Sequence, residues 1–299
     1  MPVQPEAFFL SAEAVQTMQS GQRFCLFYPP QGYRVRGLVL YIHPFAEEMN
    51  KARRMAALQA RALAQAGYSV LQIDLRGCGD SSGDFGDATW KSWVSDVVQG
   101  CHWLRNQSNA PGADSGQVPL WLWGLRAGCL LAVEAASQLG EPCNFLFWHP
   151  PSAGKPLLQQ FLRLKVAGDM LGGQAKGVME GMRQQLGVGV AVEIAGYMLS
   201  PGLASGLEQA ALVPPADQGL AQRVEWFEIS TRDDASLSPI SAKTIAQWQQ
   251  AGFAVNSHVV PGPAFWQTME IEDAPALISA TTAAVFASAP KAIGEASLA

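Results

Sequence analysis

A turn with glycine at both ends and arginine in the middle is the most unusual feature of this sequence. Gly124 and Gly128 flank Arg126, and the turn lies between the apolar run 118–123 and an alanine- and leucine-rich segment. This order is typical of a buried strand that continues directly into a helix. A guanidinium group donates hydrogen bonds and stays protonated, so it can be neither nucleophile nor base. At a helix N-terminus, Arg126 could instead bind a carboxylate, phosphate or sulfate.

An internal ion pair is the second interpretation of Arg126. A buried arginine needs a partner, because leaving its charge unpaired costs several kcal/mol. The candidate partners are Glu47, Glu48, Asp233, Asp234 and Glu270. Such a pair would fill the site, and the two interpretations are compatible if a ligand can displace the partner.

Carboxylates near the ends of predicted strands are the candidates for acid–base catalysis. Glu47 and the adjacent Glu48 could act together, although two acids in the first turn of a helix also stabilise the helix dipole from the surface. Asp233 and Asp234 follow the predicted strand 223–230, and the sequence does not settle which of them would act.

No metal or cofactor site is predicted. The five cysteines have neither C-x-x-C spacing nor a histidine at ligand spacing, so we expect buried, reduced thiols. They are Cys25, Cys78, Cys101, Cys129 and Cys143.

The composition argues against several partners. The net charge is −5 and the basic residues are scattered, so no surface for nucleic acid is expected. No 18 apolar residues occur together, and residues 1–10 lack the pattern of a signal peptide. The sequence therefore predicts a cytoplasmic protein without a transmembrane segment.

Strand and helix patterns alternate along most of the chain. The predicted strands are 6–11, 22–29, 37–42, 68–75, 118–123, 144–148, 223–230 and 253–260. The predicted helices outside the insertion are 51–66, capped by Asn50, then 90–107, the segment after the arginine turn, 239–251 and 274–286. This alternation predicts an α/β protein with a mostly parallel, doubly wound sheet.

The segment 150–222 interrupts the alternation. It is rich in Gly, Leu and Met, and we expect helices at 157–166, 176–186 and 191–199. An insertion between two sheet strands is the usual place for a cap. We therefore predict a core of residues 1–149 and 223–290, a helical cap of residues 150–222, and a frayed tail at 291–299.

The order of elements, the loop 74–83 and the glycine-bracketed turn together resemble α/β-hydrolases. In that superfamily the turn is a nucleophile elbow, G-x-S-x-G, and the resemblance implies a Ser-His-Asp triad. Here Arg126 replaces the serine, and Phe265 stands where the resemblance places the histidine. Asp233 or Asp234 would be the acid. The standard triad is therefore absent.

Three stretches resemble the exosortase A system-associated "hydrolase 2" family more narrowly: 45–51, 123–126 and 261–268. That resemblance implies a bacterial protein of an exopolysaccharide and exosortase system, and the family name implies a hydrolase.

The resemblance also places an oxyanion hole, which is built from backbone N–H groups. Ala127 and Phe45 would supply them, and Trp266 would line the pocket beside Phe45. One hypothesis is a hydrolase-like enzyme in the exopolysaccharide pathway that uses non-serine chemistry. The alternative is a catalytically inactive homologue that binds a small anionic or acyl ligand, or a protein partner in that pathway.

Overall fold

The computed structural model describes residues 3–12, 21–32, 34–108, 118–171, 177–216, 222–232 and 234–287. Its strands are β1 Glu6–Ala12, β2 Gly21–Tyr28, β3 Gly37–Ile42, β4 Tyr68–Ile73, β5 Leu120–Leu125, β6 Asn144–Trp148, β7 Val192–Ile194, β8 Tyr197–Leu199, β9 Arg223–Ser230 and β10 Ala254–Pro261. Its α-helices are α1 Glu47–Gln65, α2 Trp90–Ser108, α3 Ala127–Leu139, α4 Lys155–Leu171, α5 Val178–Gly187, α6 Pro201–Gln209, α7 Pro239–Gln250 and α8 Pro275–Phe286. A short 3₁₀ helix spans Phe85–Asp87.

The predicted mostly parallel sheet is confirmed. Its strand order is β1-β2-β4-β3-β5-β6-β9-β10. β1 and β2 are antiparallel to their neighbours, and the other pairs are parallel. Since parallel strands end at the same edge, the loops after β3, β5, β6, β9 and β10 lie along one edge of the sheet.

Helices cover both faces of the sheet, which explains the continuous apolar runs of β3 and β5. Every residue of these two strands is buried. Alternate side chains enter two separate apolar layers. One layer lies under α1 and α8, and the other lies under α2, α3 and the segment between β6 and β9.

The predicted helix at 191–199 is wrong, because this part of the insertion is a hairpin of β7 and β8. Ala195 and Gly196 have φ values of 49° and 84°, and two such residues form the tight turn that joins twisted strands. Val192 and Ile194 are buried and the residue between them is exposed, so the burial period is two. Strands of three residues are too short for this alternation to be recognised in the sequence.

Helix α1 begins at Glu47, four residues before the predicted start at Lys51, and Asn50 lies within it instead of capping it. The residue before the helix is Ala46, whose φ of 50° and ψ of −123° turn the chain sharply out of β3. Glu47 and Glu48 occupy the first turn, where the helix dipole stabilises acids. The early start places both carboxylates at the edge of the sheet.

In the described part of the chain, none of the helices is long and apolar enough to cross a membrane.

Candidate functional site

The turn around Arg126 has a strained backbone that close packing maintains. Arg126 has a φ of 54° and a ψ of −117°, a region that side-chain-bearing residues rarely adopt. A Cβ on Gly128 would overlap the carbonyl oxygen of Ile42, and one on Gly124 would overlap the backbone of Cys129. The Arg126 amide donates a 3.0 Å hydrogen bond to the carbonyl of Trp148. The turn therefore keeps the shape of an elbow with arginine at its apex.

The guanidinium of Arg126 is engaged inside the protein. Its Nη2 lies 3.2 Å from Oε1 of Glu48 and donates a 3.1 Å hydrogen bond to Oε1 of Gln160 in α4. The guanidinium carbon lies 5.8 Å from the centre of the Trp266 ring. Arg126 is only 9% exposed. The ion-pair interpretation thus holds in this structure, with Glu48 as the partner.

Glu48 is the carboxylate that neutralises this arginine. It is 7% exposed, and burial raises the pKa of its carboxyl while the charge and hydrogen bond of Arg126 lower it. Its second oxygen, Oε2, is buried without a well-formed hydrogen bond to a described residue, although the side chain of Gln267 lies near enough to lower the pKa of the carboxyl. One carboxylate oxygen of Glu48 therefore has a hydrogen-bond partner, and the other has no well-formed hydrogen bond to a described residue.

Glu47 lies beside this pair and has no ionic partner of its own among the described residues. Its Oε2 is likewise buried without a hydrogen bond, and burial raises the pKa of its carboxyl. The two glutamates border a cavity of only about 10 Å³. That is room for about one water molecule. The other lining residues are Phe45, Leu157, Gln160 and Phe161.

Helix α4 and the loop after β3 close the site from above. The ring of Phe45 packs edge-on against those of Phe161, Phe85 and Trp93, with centroids 5.1 to 5.8 Å apart. Phe45 lies in the turn before α1, and Ala127 is the first residue of α3. Both positions proposed as backbone donors thus lie at the same sheet edge, under a closed aromatic cover.

The positions of the expected histidine and acid do not supply a triad. Phe265 is fully buried, with its ring centroid 6.1 Å from that of Trp148 and 5.1 Å from that of Trp266. Asp234 is exposed and makes no ion pair with any described residue, and Asp233 lies outside the described residues. Of the candidate acids Glu47 and Asp234, both in the described part of the chain, Glu47 lies beside the pair of Arg126 and Glu48.

His149 is a residue near this site that sequence reasoning missed. Burial, reinforced by the charge of Arg126, lowers the pKa of its imidazole to about 4. Its ring centroid lies 4.8 Å from that of Trp266, and Nδ1 accepts a long, 3.4 Å hydrogen bond from the Ile229 amide. The imidazole is therefore neutral at pH 7. The sequence signal that could have identified His149 was its position directly after the predicted strand 144–148.

His258, by contrast, lies within β10 and pairs with Glu225 rather than with a residue of the Arg126 site. Its Nε2 lies 3.0 Å from Oε2 of Glu225, and its ring stacks on Phe227 at 4.4 Å. This histidine therefore belongs to the packing of the sheet.

No group of three or more metal-ligating side chains occurs in the described ranges. All five cysteines are buried thiols outside any disulfide. Burial raises the pKa of Cys129, three residues after the arginine, well above its usual value. It remains a protonated thiol and is a poor nucleophile. The site thus combines an arginine, two carboxylates and a neutral imidazole.

Comparisons with known proteins agree with this architecture. The profile of the serine aminopeptidase S33 family matches residues 33–164. The human protein ABHD12B is 31% identical over 104 residues, which are 35% of this chain and 25% of that protein. The chain is thus matched to about a quarter of the length of this curated relative.

Two solved structures are similar over nearly the whole chain. Est1E from Butyrivibrio proteoclasticus, solved with ferulic acid bound, has a TM-score of 0.63 and 14% identity, covering 92% of this chain and 97% of that one. A thermostable carboxyl esterase from Bacillus coagulans, in complex with glycerol, has a TM-score of 0.58 and 15% identity, covering 94% and 96%. At such identities the likeness concerns the fold alone. The chain therefore has the α/β-hydrolase fold.

Proposed function

We propose that this protein is a catalytically inactive α/β-hydrolase homologue that binds a ligand at Arg126. The observation that carries the proposal is the arginine at the strained apex of the elbow, paired with Glu48 and Gln160. Serine hydrolysis needs a hydroxyl at that apex and a base beside it. An arginine and a buried phenylalanine supply neither.

The proposed ligand is a small anion, or an acyl compound with an anionic head. Its head would replace Glu48 on the guanidinium of Arg126, and the Ala127 and Phe45 amides would complete the site. Trp266, 5.8 Å from the guanidinium carbon, would flank the head. Charge-assisted hydrogen bonds to a partly buried anion contribute about 1.5–3 kcal/mol each.

Binding would require the cover to open, because the cavity has a volume of only about 10 Å³. Gln160 is the contact that links α4 directly to Arg126. A ligand that takes this hydrogen bond would release α4 from the elbow. The proposal therefore couples ligand binding to movement of the segment between β6 and β9.

A thermal-shift screen of acetate, octanoate and glucose 1-phosphate tests this proposal. At about a hundred times its dissociation constant, a ligand stabilises the native state by about 2.7 kcal/mol, which raises Tm by several degrees. Arg126→Met should abolish the shift. Arg54→Met is the control, because Arg54 is an exposed residue of α1 that pairs with Asp273. The proposal fails if no anion shifts the wild type, or if Arg126→Met responds equally; Arg126 would then only fill the site.

Glu47 favours a second candidate, a hydrolase-like enzyme of an exopolysaccharide and exosortase A system that uses non-serine chemistry. A half-buried carboxyl with a raised pKa and a buried oxygen that lacks a hydrogen bond is suited to acid–base catalysis. If the protein turns over esters or glycosides, Glu47→Gln should reduce kcat by about a hundredfold or more. Glu180→Gln, at an exposed position of α5, is the control. Unchanged turnover in Glu47→Gln would reject this candidate.

A further inference from the structure

A second cavity, of about 190 Å³, lies between helix α1 and strands β2, β3 and β4. Its lining residues are Phe24, Leu26, Tyr41, His43, Met49, Arg53, Ala56, Ala57, Gln72, Ile73 and Asp74. It shares none of these residues with the small cavity beside Glu47 and Glu48. The two cavities are thus distinct, and the larger one is independent of the elbow.

Strand register explains how the floor of this cavity forms. Gln72 of β4 is the register partner of Leu26 in β2 and of Tyr41 in β3. Three neighbouring side chains therefore project from one face of the sheet. Above them, Ala56 and Ala57 present only methyl groups from α1. These small side chains leave the space unfilled.

Two hydrogen-bond donors at the cavity lack partners. The hydroxyl of Tyr41 makes no hydrogen bond to a described residue, although Tyr41 is only 5% exposed. Burial raises the pKa of this hydroxyl far above its usual value, so it remains protonated and able to donate. Gln72 accepts a 3.4 Å bond from Tyr28 through Oε1, while its buried Nε2 has no partner. Buried donors are normally satisfied, so Nε2 of Gln72 points to a missing acceptor. The Tyr41 hydroxyl is not fully enclosed, so it can donate to a ligand in the cavity.

A cation lies at the edge of the same cavity. The side chain of Arg53 is 42% exposed, and its Nη2 donates a 3.1 Å hydrogen bond to Oδ2 of Asp74. Asp74 also accepts from the Asp80 amide. Arg53 makes no other hydrogen bond or ion pair with the described residues, so its remaining N–H groups can bind a ligand.

His43 is not a competing acceptor. Its Nδ1 lies 2.8 Å from the carbonyl oxygen of Pro44, and its Nε2 accepts a 3.3 Å bond from the Leu75 amide. Both ring nitrogens are thus engaged, and burial lowers the pKa of the imidazole. Apart from the carboxylate of Asp74, which pairs with Arg53, the polar side chains without a described partner around the cavity are donors.

We propose that this cavity is a binding site for a small carboxylate with an apolar body of about the size of a benzene ring. The carboxylate would accept hydrogen bonds from Tyr41 and Gln72 and would be attracted by Arg53. The apolar body would pack against Leu26 and Met49. The volume fits, because a dry protein cavity of about 150 Å³ is large enough to hold benzene.

Binding of benzoate to the full-length protein, followed by NMR titration at constant ionic strength, tests the proposal. A ligand of this size should bind with a dissociation constant of about 0.1–1 mM. Benzamide keeps the shape of benzoate without the charge and should bind at least about tenfold more weakly. Equal binding of benzamide would overturn the assignment of a carboxylate, and lack of saturable benzoate binding would overturn the site.

Three variants test whether benzoate binds in this cavity. Tyr41→Phe removes only the hydroxyl and should weaken benzoate binding about five- to tenfold. Ala57→Leu fills the cavity and should abolish binding. Ala62→Leu, on the same helix but outside the cavity, should bind like the wild type.

Arg126→Met separates this proposal from the one at the elbow. In this variant the NMR shifts of Leu26, Tyr41 and Gln72 should saturate at the same benzoate concentration as in the wild type, because Arg126 does not line this cavity. Wild-type affinity in Tyr41→Phe and in folded Ala57→Leu would place benzoate elsewhere and reject the proposal. Loss of binding in Arg126→Met alone would move the site to the elbow and would equally reject it.

Discussion

Nη2 of Arg126 lies 3.2 Å from Oε1 of Glu48, and the register of two strands explains this contact. β3 and β5 are parallel neighbours in which Ile42 pairs with Gly124. The residue directly before the next helix has nearly the same conformation in both cases: Ala46, with φ 50° and ψ −123°, and Arg126, with φ 54° and ψ −117°. Two similar turns on adjacent strands thus place the first turn of α1 beside the elbow.

We predict strong coupling between the two members of this pair. Arg126→Met and Glu48→Leu should each lower the free energy of unfolding by about 2–4 kcal/mol, because each leaves a mostly buried charge without its partner. The double variant should lose clearly less than the sum of the two losses. Urea unfolding of the wild type, the two single variants and the double variant measures these losses of unfolding free energy. Arg54→Met, which breaks an exposed pair, should cost less than about 1 kcal/mol. Additive losses would contradict the coupling.

We predict that a fluorophosphonate probe will not label this protein at the elbow, since Arg126 offers no hydroxyl to it. Arg126→Ser alone should not create an efficient esterase, because Phe265 stands where the base is expected and Nδ1 of His149 already accepts a hydrogen bond from the Ile229 amide. Adding Phe265→His should not rescue it either. The ring of Phe265 is fully buried between Trp148 and Trp266, so a histidine there would be buried among aromatic rings.

Labelling by mass spectrometry and the hydrolysis rate of 4-nitrophenyl acetate check this prediction. Stoichiometric label on any serine of the wild type would show that the active site lies elsewhere. A large rate gain in Arg126→Ser alone would identify a base already in place, and His149 would then be the first candidate.

Some features of the fold and of the site could be predicted from the sequence, and others could not. The elbow was predictable, because glycines spaced four apart between an apolar strand and an alanine-rich helix report a local backbone requirement. The hairpin at 192–199 was not, because strands of three residues carry too little periodic signal. The position of Phe265 predicted the missing base but not the packing of its ring between two tryptophans.

Contacts between distant segments were the least predictable features. Five acids were possible partners of Arg126, and the choice of Glu48 depends on how β3 and β5 lie side by side. The cavity beneath α1 depends on the register of three strands and on two alanines in a helix. Neither the contact between Arg126 and Glu48 nor the cavity can be recognised from the residues of one segment alone.

The two elbow glycines give a prediction about stability. Gly128→Ala would force a Cβ onto the carbonyl oxygen of Ile42, so we expect a loss of about 3 kcal/mol or more, or failure to fold. Gly124→Ala should behave in the same way. Gly181→Ala, in helix α5, is the matched control, since its Cβ would meet no atom within 4 Å. This variant should gain up to about 1 kcal/mol. Urea midpoints measure the differences, and equal midpoints for all three would refute the packing argument.

His149 gives a prediction about pH. The pKa of its imidazole falls from 6.5 to about 4 in the native protein, so below pH 6.5 the unfolded chain binds a proton that the native protein does not. Its contribution therefore destabilises the native state progressively as the pH falls from about 6.5 to 4.

His149→Asn should remove that contribution. Asparagine tolerates the φ of 46° at this position better than most residues. The loss of unfolding free energy between pH 7 and pH 4.5 should be smaller in this variant than in the wild type by about 1–2 kcal/mol. Urea unfolding at the two pH values measures the difference. His102→Asn, at an exposed position of α2, controls for the loss of a histidine elsewhere. If the wild type and His149→Asn lose stability equally on acidification, the native imidazole at 149 is not held neutral by its burial beside Arg126.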